Sequence, residues 1–146
     1  MKKNIVAILF AVFFVTVATA QNKQDLKKES KMDRTELSQQ KFIELFGVAP
    51  SPQTEQDPEL MEILRKFIFG EVFYAGNLND TIRELITIVT LTTQQALPQL
   101  KAHTNAALNI EASPIAIKEA VYQCAPFIGF PKVLNAINEI NQVFIA

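Results

Sequence analysis

Cysteine and histidine are nearly absent from this chain. Its 146 residues include one cysteine, Cys124, and one histidine, His103. A single cysteine cannot form an internal disulfide, and it excludes both a disulfide framework and a zinc site built on cysteines. There is also no cluster of metal-ligand residues. We therefore expect no metal and no cofactor, and a core closed by apolar packing alone, for which 49% apolar residues suffice.

Excess positive charge and phosphate-binding motifs are missing as well. Fourteen basic residues face fifteen acidic ones, so the formal net charge is −1 and no basic footprint for nucleic acid is visible. No G-x-G-x-x-G pattern and no phosphate loop occurs. The sequence therefore predicts no nucleic-acid partner, and nothing in it indicates a nucleotide cofactor.

The first twenty residues have the three-part design of a secretory signal peptide. Lys2 and Lys3 give a basic start, an uncharged apolar run covers 5–17, and Ala18 and Ala20 form an A-x-A cleavage pattern. The alternative is a membrane anchor, but the apolar run is shorter than the ~20 residues that a span needs. We expect cleavage after Ala20, a secreted or periplasmic location, and no membrane contact thereafter.

The remaining chain divides into a tether and one domain. Residues 21–32 are polar and mixed in charge, which is typical of a flexible tether. The length that follows, 33–146, predicts a single domain. Capping residues, prolines and glycines mark the starts and ends of helices along this range. They predict an all-α bundle of about six helices, and no strand pattern competes with it. The expected helices cover about 33–46, 57–73, 80–95, 98–108, 113–124 and 131–144.

His103 is the first candidate for chemistry. It shares a helical stripe with Leu100, Ala107 and Ile110. A histidine on an apolar stripe is most often a satisfied core residue, yet histidine is also the side chain best suited to move protons near neutral pH. Both interpretations stay open on the pattern alone.

Arg83 and Glu84 lie in the first turn of the most apolar helix, where burying a charge is costly unless it is paired. Glu84 shares a face with Ile88 and Leu91, which points it inward. It could also be a favourable charge at a helix N-terminus, and Arg83 could be a solvated surface charge. Cys124 lies on an apolar face and is expected to be a buried, unreactive thiol.

The order and spacing of several pieces resemble the carboxymuconolactone decarboxylase family, which includes the alkyl hydroperoxidase D-like proteins. The pieces are "RELITIVTL", "KAHTNAAL", "SPIAIKEAV" and "GFP", and the similarity covers about 43–144. The resemblance implies an all-α bundle that assembles as trimers or hexamers. The exposed apolar surface expected of Ile82, Ile86 and Val89 also favours a homo-oligomer.

The resemblance implies two kinds of chemistry. In the peroxidase branch, a glutamate and a histidine, matched here by Glu84 and His103, activate a C-x-x-C pair. Ala96 and Gln99 occupy the cysteine positions, so that thiol mechanism is lost. In the thiol-free decarboxylase branch, His103 would be the acid or base, Glu84 would orient it, and Arg83 would bind a small anionic substrate.

Three functions therefore remain open. The first is an exported, thiol-independent lyase or proton-transfer enzyme. The second is a peroxiredoxin-type oxidoreductase that uses an unexpected thiol. The third is a non-catalytic oligomeric protein that binds a small molecule in an apolar pocket, because a fold by itself does not settle function.

Overall fold

The computed structural model describes residues 33–145, and over this range the chain is all-helical with no strand. This confirms the expected fold class. Six longer helices are joined by short connections, with one four-residue helix and one 3-10 turn between them. The elements are α1 (Arg34–Phe46), α2 (Pro58–Ile68), a 3-10 turn (Val72–Tyr74), α3 (Asp80–Gln94), α4 (Leu97–Asn109), α5 (Pro114–Tyr122), α6 (Ala125–Ile128) and α7 (Phe130–Phe144).

The helix boundaries follow from local chemistry at several of the expected positions. The Asp57 side chain accepts the backbone N–H of Leu60 at 3.0 Å and so satisfies one of the free donors at the start of α2. Asn79 caps α3 in the same way, accepting from Ile82 N–H at 2.9 Å. Gly47 follows α1 with φ of +71°, a conformation that glycine adopts at low cost.

The second helix is shorter than expected. It was predicted to run to about Phe73, but α2 ends at Ile68. The reason lies at Gly70, where the start of α1 comes so close that an added Cβ would lie 2.6 Å from the Arg34 carbonyl oxygen. The chain turns at this contact and continues as the 3-10 turn.

The C-terminal boundaries also differ from expectation. Helix α5 ends at Tyr122 rather than near Cys124, and the expected break over "PFIGFP" contains the short helix α6. Gly129, with φ of +81°, then turns the chain into α7. Ser113 precedes α5 as predicted, but its side chain makes no capping hydrogen bond.

The core has two parts, and α4 contributes to both. Helices α3, α4, α5 and α7 enclose an aliphatic cluster whose fully buried members include Ile88, Leu100 and Ile140. A second cluster, rich in phenylalanine, joins α1, the end of α2 and the 3-10 turn to α4; its buried members are Leu45, Phe69, Phe73 and Ala106. The helix that carries His103 therefore lies between an aliphatic and an aromatic half.

The predicted signal peptide over 1–20 and the tether over 21–32 lie outside the described residues and stay predictions. Within 33–145, no helix combines the length and apolarity required to cross a bilayer.

Large apolar side chains are exposed on several helices, and α2 and α3 each carry more than one of them. On α2, Leu60, Ile63 and Phe67 are each more than half exposed and share one face. On α3, Ile82 and Ile86 are about half exposed, whereas Val89 packs against the aliphatic cluster instead of facing outward. Contiguous exposed apolar surface is typical of an interface, so a homo-oligomer remains our expectation.

The first prediction concerns this surface. We expect the protein to form a homo-oligomer at micromolar concentration, and Ile86→Glu to shift it towards monomer, because a buried unpaired carboxylate is costly at an interface. Light scattering after size exclusion measures both. Val48→Glu, at an exposed loop position, is the matched control and should leave the mass unchanged. A monomeric parent protein would refute the expectation.

The second prediction concerns Gly70. Its added Cβ would meet two backbone oxygens, those of Arg34 and Lys66, each at 2.6 Å. Backbone cannot move aside as a flexible side chain can, so Gly70→Ala should destabilise the fold by about 1–3 kcal/mol. Urea unfolding provides the measurement. Gly76→Asn is the control, because Gly76 has open space around it and asparagine tolerates its positive φ; equal losses in both variants would contradict this account.

Candidate functional site

A helical hairpin made by α3 and α4 builds the candidate site. Gln95 ends α3 in the left-handed conformation, with φ of +57°. Its side-chain amide donates to the carbonyl oxygens of Thr92 at 2.8 Å and of Lys132 at 3.0 Å, while its oxygen accepts from Asn135 at 3.1 Å. These bonds fasten the apex of the hairpin to α7. Nothing in the sequence pattern identified Gln95, because glutamine is not a usual residue at such a position.

The hairpin brings Glu84 and His103 together. His103 Nδ1 lies 2.8 Å from Glu84 Oε2, a hydrogen bond between side chains 19 residues apart. The turn between α3 and α4 thus brings the inward faces of the two helices together. Glu84 faces the interior with Ile88, as its position on α3 predicted.

Glu84 is fully buried, and its bonding is incomplete. Its exposed fraction is 0%, and Oε1 has no hydrogen-bond partner within residues 33–145. Leaving a buried acceptor unpaired costs about 1–3 kcal/mol, and more for a charged group. A purely structural position would be served as well by an apolar side chain. Glu55 Oε2 and Thr92 Oγ1 are also buried without a partner among the described residues, but of the three residues only Glu84 is bonded to the histidine.

His103 lies between this carboxylate and the aromatic half of the core. Its ring meets the ring of Phe46 edge to face, with 5.5 Å between centroids and 79° between planes. The side chain is 18% exposed, so one edge reaches solvent. With Nδ1 bonded to Glu84, Nε2 is the nitrogen left to exchange a proton with a ligand. The contact between Phe46 and His103 could not be deduced from the spacing of residues in the sequence.

Arg83 takes part in a different set of contacts from its neighbour. Its guanidinium donates to three carbonyl oxygens: from Nε to Leu78 at 3.0 Å, from Nη1 to Val72 at 3.0 Å, and from Nη2 to Ala75 at 2.7 Å. The side chain is 11% exposed, so it is not the solvated surface charge considered as an alternative. A guanidinium has five N–H groups, so two remain beyond these bonds, and the anion-binding role of Arg83 stays a prediction.

A buried lysine lies beside this region and was missed in the sequence. Lys41 Nζ donates to Asp80 at 2.5 Å and to Glu44 at 2.6 Å. Burial acts to lower the pKa of Lys41, but the hydrogen bonds to both carboxylates outweigh it and hold that pKa above its ordinary value. Asp80 also lies 4.0 Å from Arg83 Nε. Charged groups thus link α1 to the first turn of α3.

The positions that carry thiols in the peroxidase branch have no such chemistry here. Ala96 is the residue before α4, and Gln99 is exposed on its first turn. Cys124 is 2% exposed, and its Sγ lies 3.6 Å from the Ala120 carbonyl oxygen. Burial raises the pKa of the Cys124 thiol. The expectation that this cysteine is buried is confirmed.

Two clefts lie away from the candidate site, and the described part of the chain holds no cluster of metal-ligand residues. A cleft of about 420 Å³ lies between α1 and α2, and another of about 310 Å³ lies at the start of α2. His103, Glu84 and Arg83 line neither of them. Across residues 33–145, no three His, Cys, Asp or Glu side chains are grouped closely enough to hold a metal ion.

The family assignment rests on a match that covers more than half of the chain. Residues 58–142, from the start of α2 into α7, match the model of the carboxymuconolactone decarboxylase family. The chain belongs to this family. The matched range contains the whole α3–α4 hairpin and therefore both partners of the Glu84–His103 bond.

One curated protein similar to this chain is a decarboxylase. The chain is 29% identical over 76 residues to a nitrosuccinic acid decarboxylase from Metarhizium robertsii. The aligned part is 52% of this chain and 53% of the relative, so the chain spans about half the length of that protein. The family and this similarity together support a decarboxylase-like function.

The third prediction concerns Cys124. Because the folded state disfavours its thiolate, we expect a thiol reagent to label it much more slowly in the native than in the unfolded protein. The unfolded thiol ionises near its ordinary value of about 8.5. Stability should therefore fall as pH rises above that value, a loss that Cys124→Ala should lack. Rapid native labelling would contradict the prediction and revive the thiol-dependent alternative.

Proposed function

We propose that this protein is a cofactor-free, thiol-independent carboxy-lyase that acts on a small anionic substrate, with His103 as the proton donor and Glu84 as the residue that orients it. The observation that carries the proposal is the buried Glu84–His103 hydrogen bond of 2.8 Å with one carboxylate oxygen left unpaired. A hydrogen-bonded orienting group behind a histidine is the usual arrangement of a general acid or base.

The reaction needs few components. Breaking the bond between the substrate carbon and its carboxylate releases CO2 and leaves the electron pair on carbon. This electron pair takes the proton from Nε2 of the protonated His103, and the nitrogen keeps the electrons of the broken N–H bond. Water later returns a proton to Nε2. Glu84, which accepts from Nδ1–H, fixes the ring and stabilises the positive charge of the protonated imidazole. No electron acceptor is required.

The substrate class follows from the electron pair that CO2 leaves behind. Such a pair is released readily only where a neighbouring group delocalises it, as a nitro group or an unsaturated carbonyl does. Nitrosuccinic acid, the acid in the relative's name, meets this condition. We therefore propose a small carboxylic acid with an electron-withdrawing group near the departing carboxylate.

The two alternatives predict different behaviour. A peroxiredoxin-type oxidoreductase would need a reactive thiol, and the burial of Cys124 argues against one. A non-catalytic binding protein would hold a small molecule without turning it over. Both alternatives keep the fold, but neither predicts a release of CO2 that depends on His103.

The fourth prediction tests the proposal. Release of CO2 from 2-nitrosuccinate and from carboxymuconolactone should fall by about 100-fold or more in His103→Asn, because general acid catalysis typically contributes 10²–10⁴-fold. Glu84→Gln should also slow the reaction while the protein stays folded. Infrared or mass-spectrometric detection of CO2 gives the rate, and circular dichroism confirms folding.

Cys124→Ala serves as the control and should keep full activity. Peroxide reduction that disappears in this variant would favour the oxidoreductase. Binding of either acid without release of CO2 would favour the binding protein, and turnover that persists in His103→Asn would contradict the assigned role.

A further inference from the structure

One side chain, that of Arg83, is hydrogen-bonded at three points to the stretch between α2 and α3 that we name the 72–78 segment. Arg83 donates to the carbonyl oxygens of Val72, Ala75 and Leu78, so its bonds reach the first, a middle and the last residue of the segment. Apart from the 3-10 turn, the segment has no regular structure of its own. The rigid fork of the guanidinium thus determines its shape.

The segment is connected to His103 through aromatic rings. Phe73, 7% exposed, packs on Phe69 with 5.4 Å between centroids, and Phe69 packs on Phe46 at 5.6 Å. Phe46 in turn lies edge to face against His103 at 5.5 Å. We name Phe73, Phe69 and Phe46 the aromatic chain; it is an unbroken line of contacts from the segment to the imidazole.

The second connection is the backbone. Arg83 directly precedes Glu84 on α3, so the residue that holds the segment is adjacent to the residue that holds His103 Nδ1. The imidazole is therefore fixed on its polar side by Glu84 and on its apolar side by the aromatic chain. Arg83 lies at the start of both connections.

We infer that Arg83 is a positioning residue, which fixes the 72–78 segment and, through Phe73 and the aromatic chain, the orientation of His103. The inference deepens the proposed function and rests on it only for its effect on turnover. An anion-binding residue would act through its charge on the substrate. A positioning residue acts on His103 before any ligand is present, and the two roles are therefore separable.

The experiment uses the single histidine as its own probe. Protein labelled with ¹⁵N in the histidine ring gives one pair of nitrogen signals, which report hydrogen bonding and orientation of His103 in the ligand-free state. Arg83→Lys keeps the positive charge but lacks the planar guanidinium, and Arg83→Met lacks both. We expect both variants to shift the His103 signals and to increase the exposure of the ring to a soluble paramagnetic agent.

Gln95→Asn is the matched control. It also weakens a long-range side-chain bond to a carbonyl oxygen, but at the opposite end of α3. The His103 signals should stay in place in this variant, whereas Glu84→Gln should move them as a positive reference. If Arg83→Lys and Arg83→Met shift the signals no more than Gln95→Asn does, the inference is wrong.

A second route protects the test against misfolding. Phe73→Leu interrupts the aromatic chain but leaves the bonds of Arg83 intact, and it should shift the same signals; unchanged signals in a folded Phe73→Leu would overturn the inference. With an active substrate, Arg83→Lys should lower kcat by about 10- to 100-fold, as small misplacements of a reacting group do, with little change in KM. A rise in KM alone, with unshifted His103 signals, would assign Arg83 to anion binding instead.

Discussion

The hydrogen bond between Glu84 and His103 is the interaction on which the interpretation of this structure depends. It joins a fully buried carboxylate to the one imidazole of the chain at 2.8 Å. Placing a carboxylate in an apolar interior is unfavourable unless a partner offsets the loss of water. The hairpin of α3 and α4 supplies that partner, so the fold and the candidate site require the same geometry.

The surroundings of the bond are arranged to hold it still. Phe46, from the aromatic half of the core, packs edge to face against the imidazole. Near the start of α3, Lys41 is bonded to Asp80, and the guanidinium of Arg83 is bonded to backbone carbonyl oxygens. Glu84 Oε1 is one of three buried side-chain atoms without a partner in the described part of the chain, together with Glu55 Oε2 and Thr92 Oγ1.

Local patterns in the sequence were sufficient for the fold class, several caps and the facing of Glu84 and His103. Each of these depends on residues within a few turns of one another or on a single hairpin. The early end of α2 was missed because it is caused by Arg34, a residue distant in sequence that approaches Gly70. The contacts of Arg83 were also missed. The sequence does not show whether its guanidinium is bonded to backbone carbonyl oxygens, as it is here, or is free to bind an anion.

The absence of thiols at positions 96 and 99 and the presence of the Glu84–His103 bond both bear on the proposed function. Ala96 and Gln99 remove the nucleophiles that such a pair would activate, and the thiol of Cys124 is buried on another helix. A buried carboxylate with an unpaired oxygen adds little to stability, since apolar packing would serve equally well. Without a thiol, the chemistry left to the pair is proton transfer, which is the step that the proposed decarboxylation needs after CO2 has left.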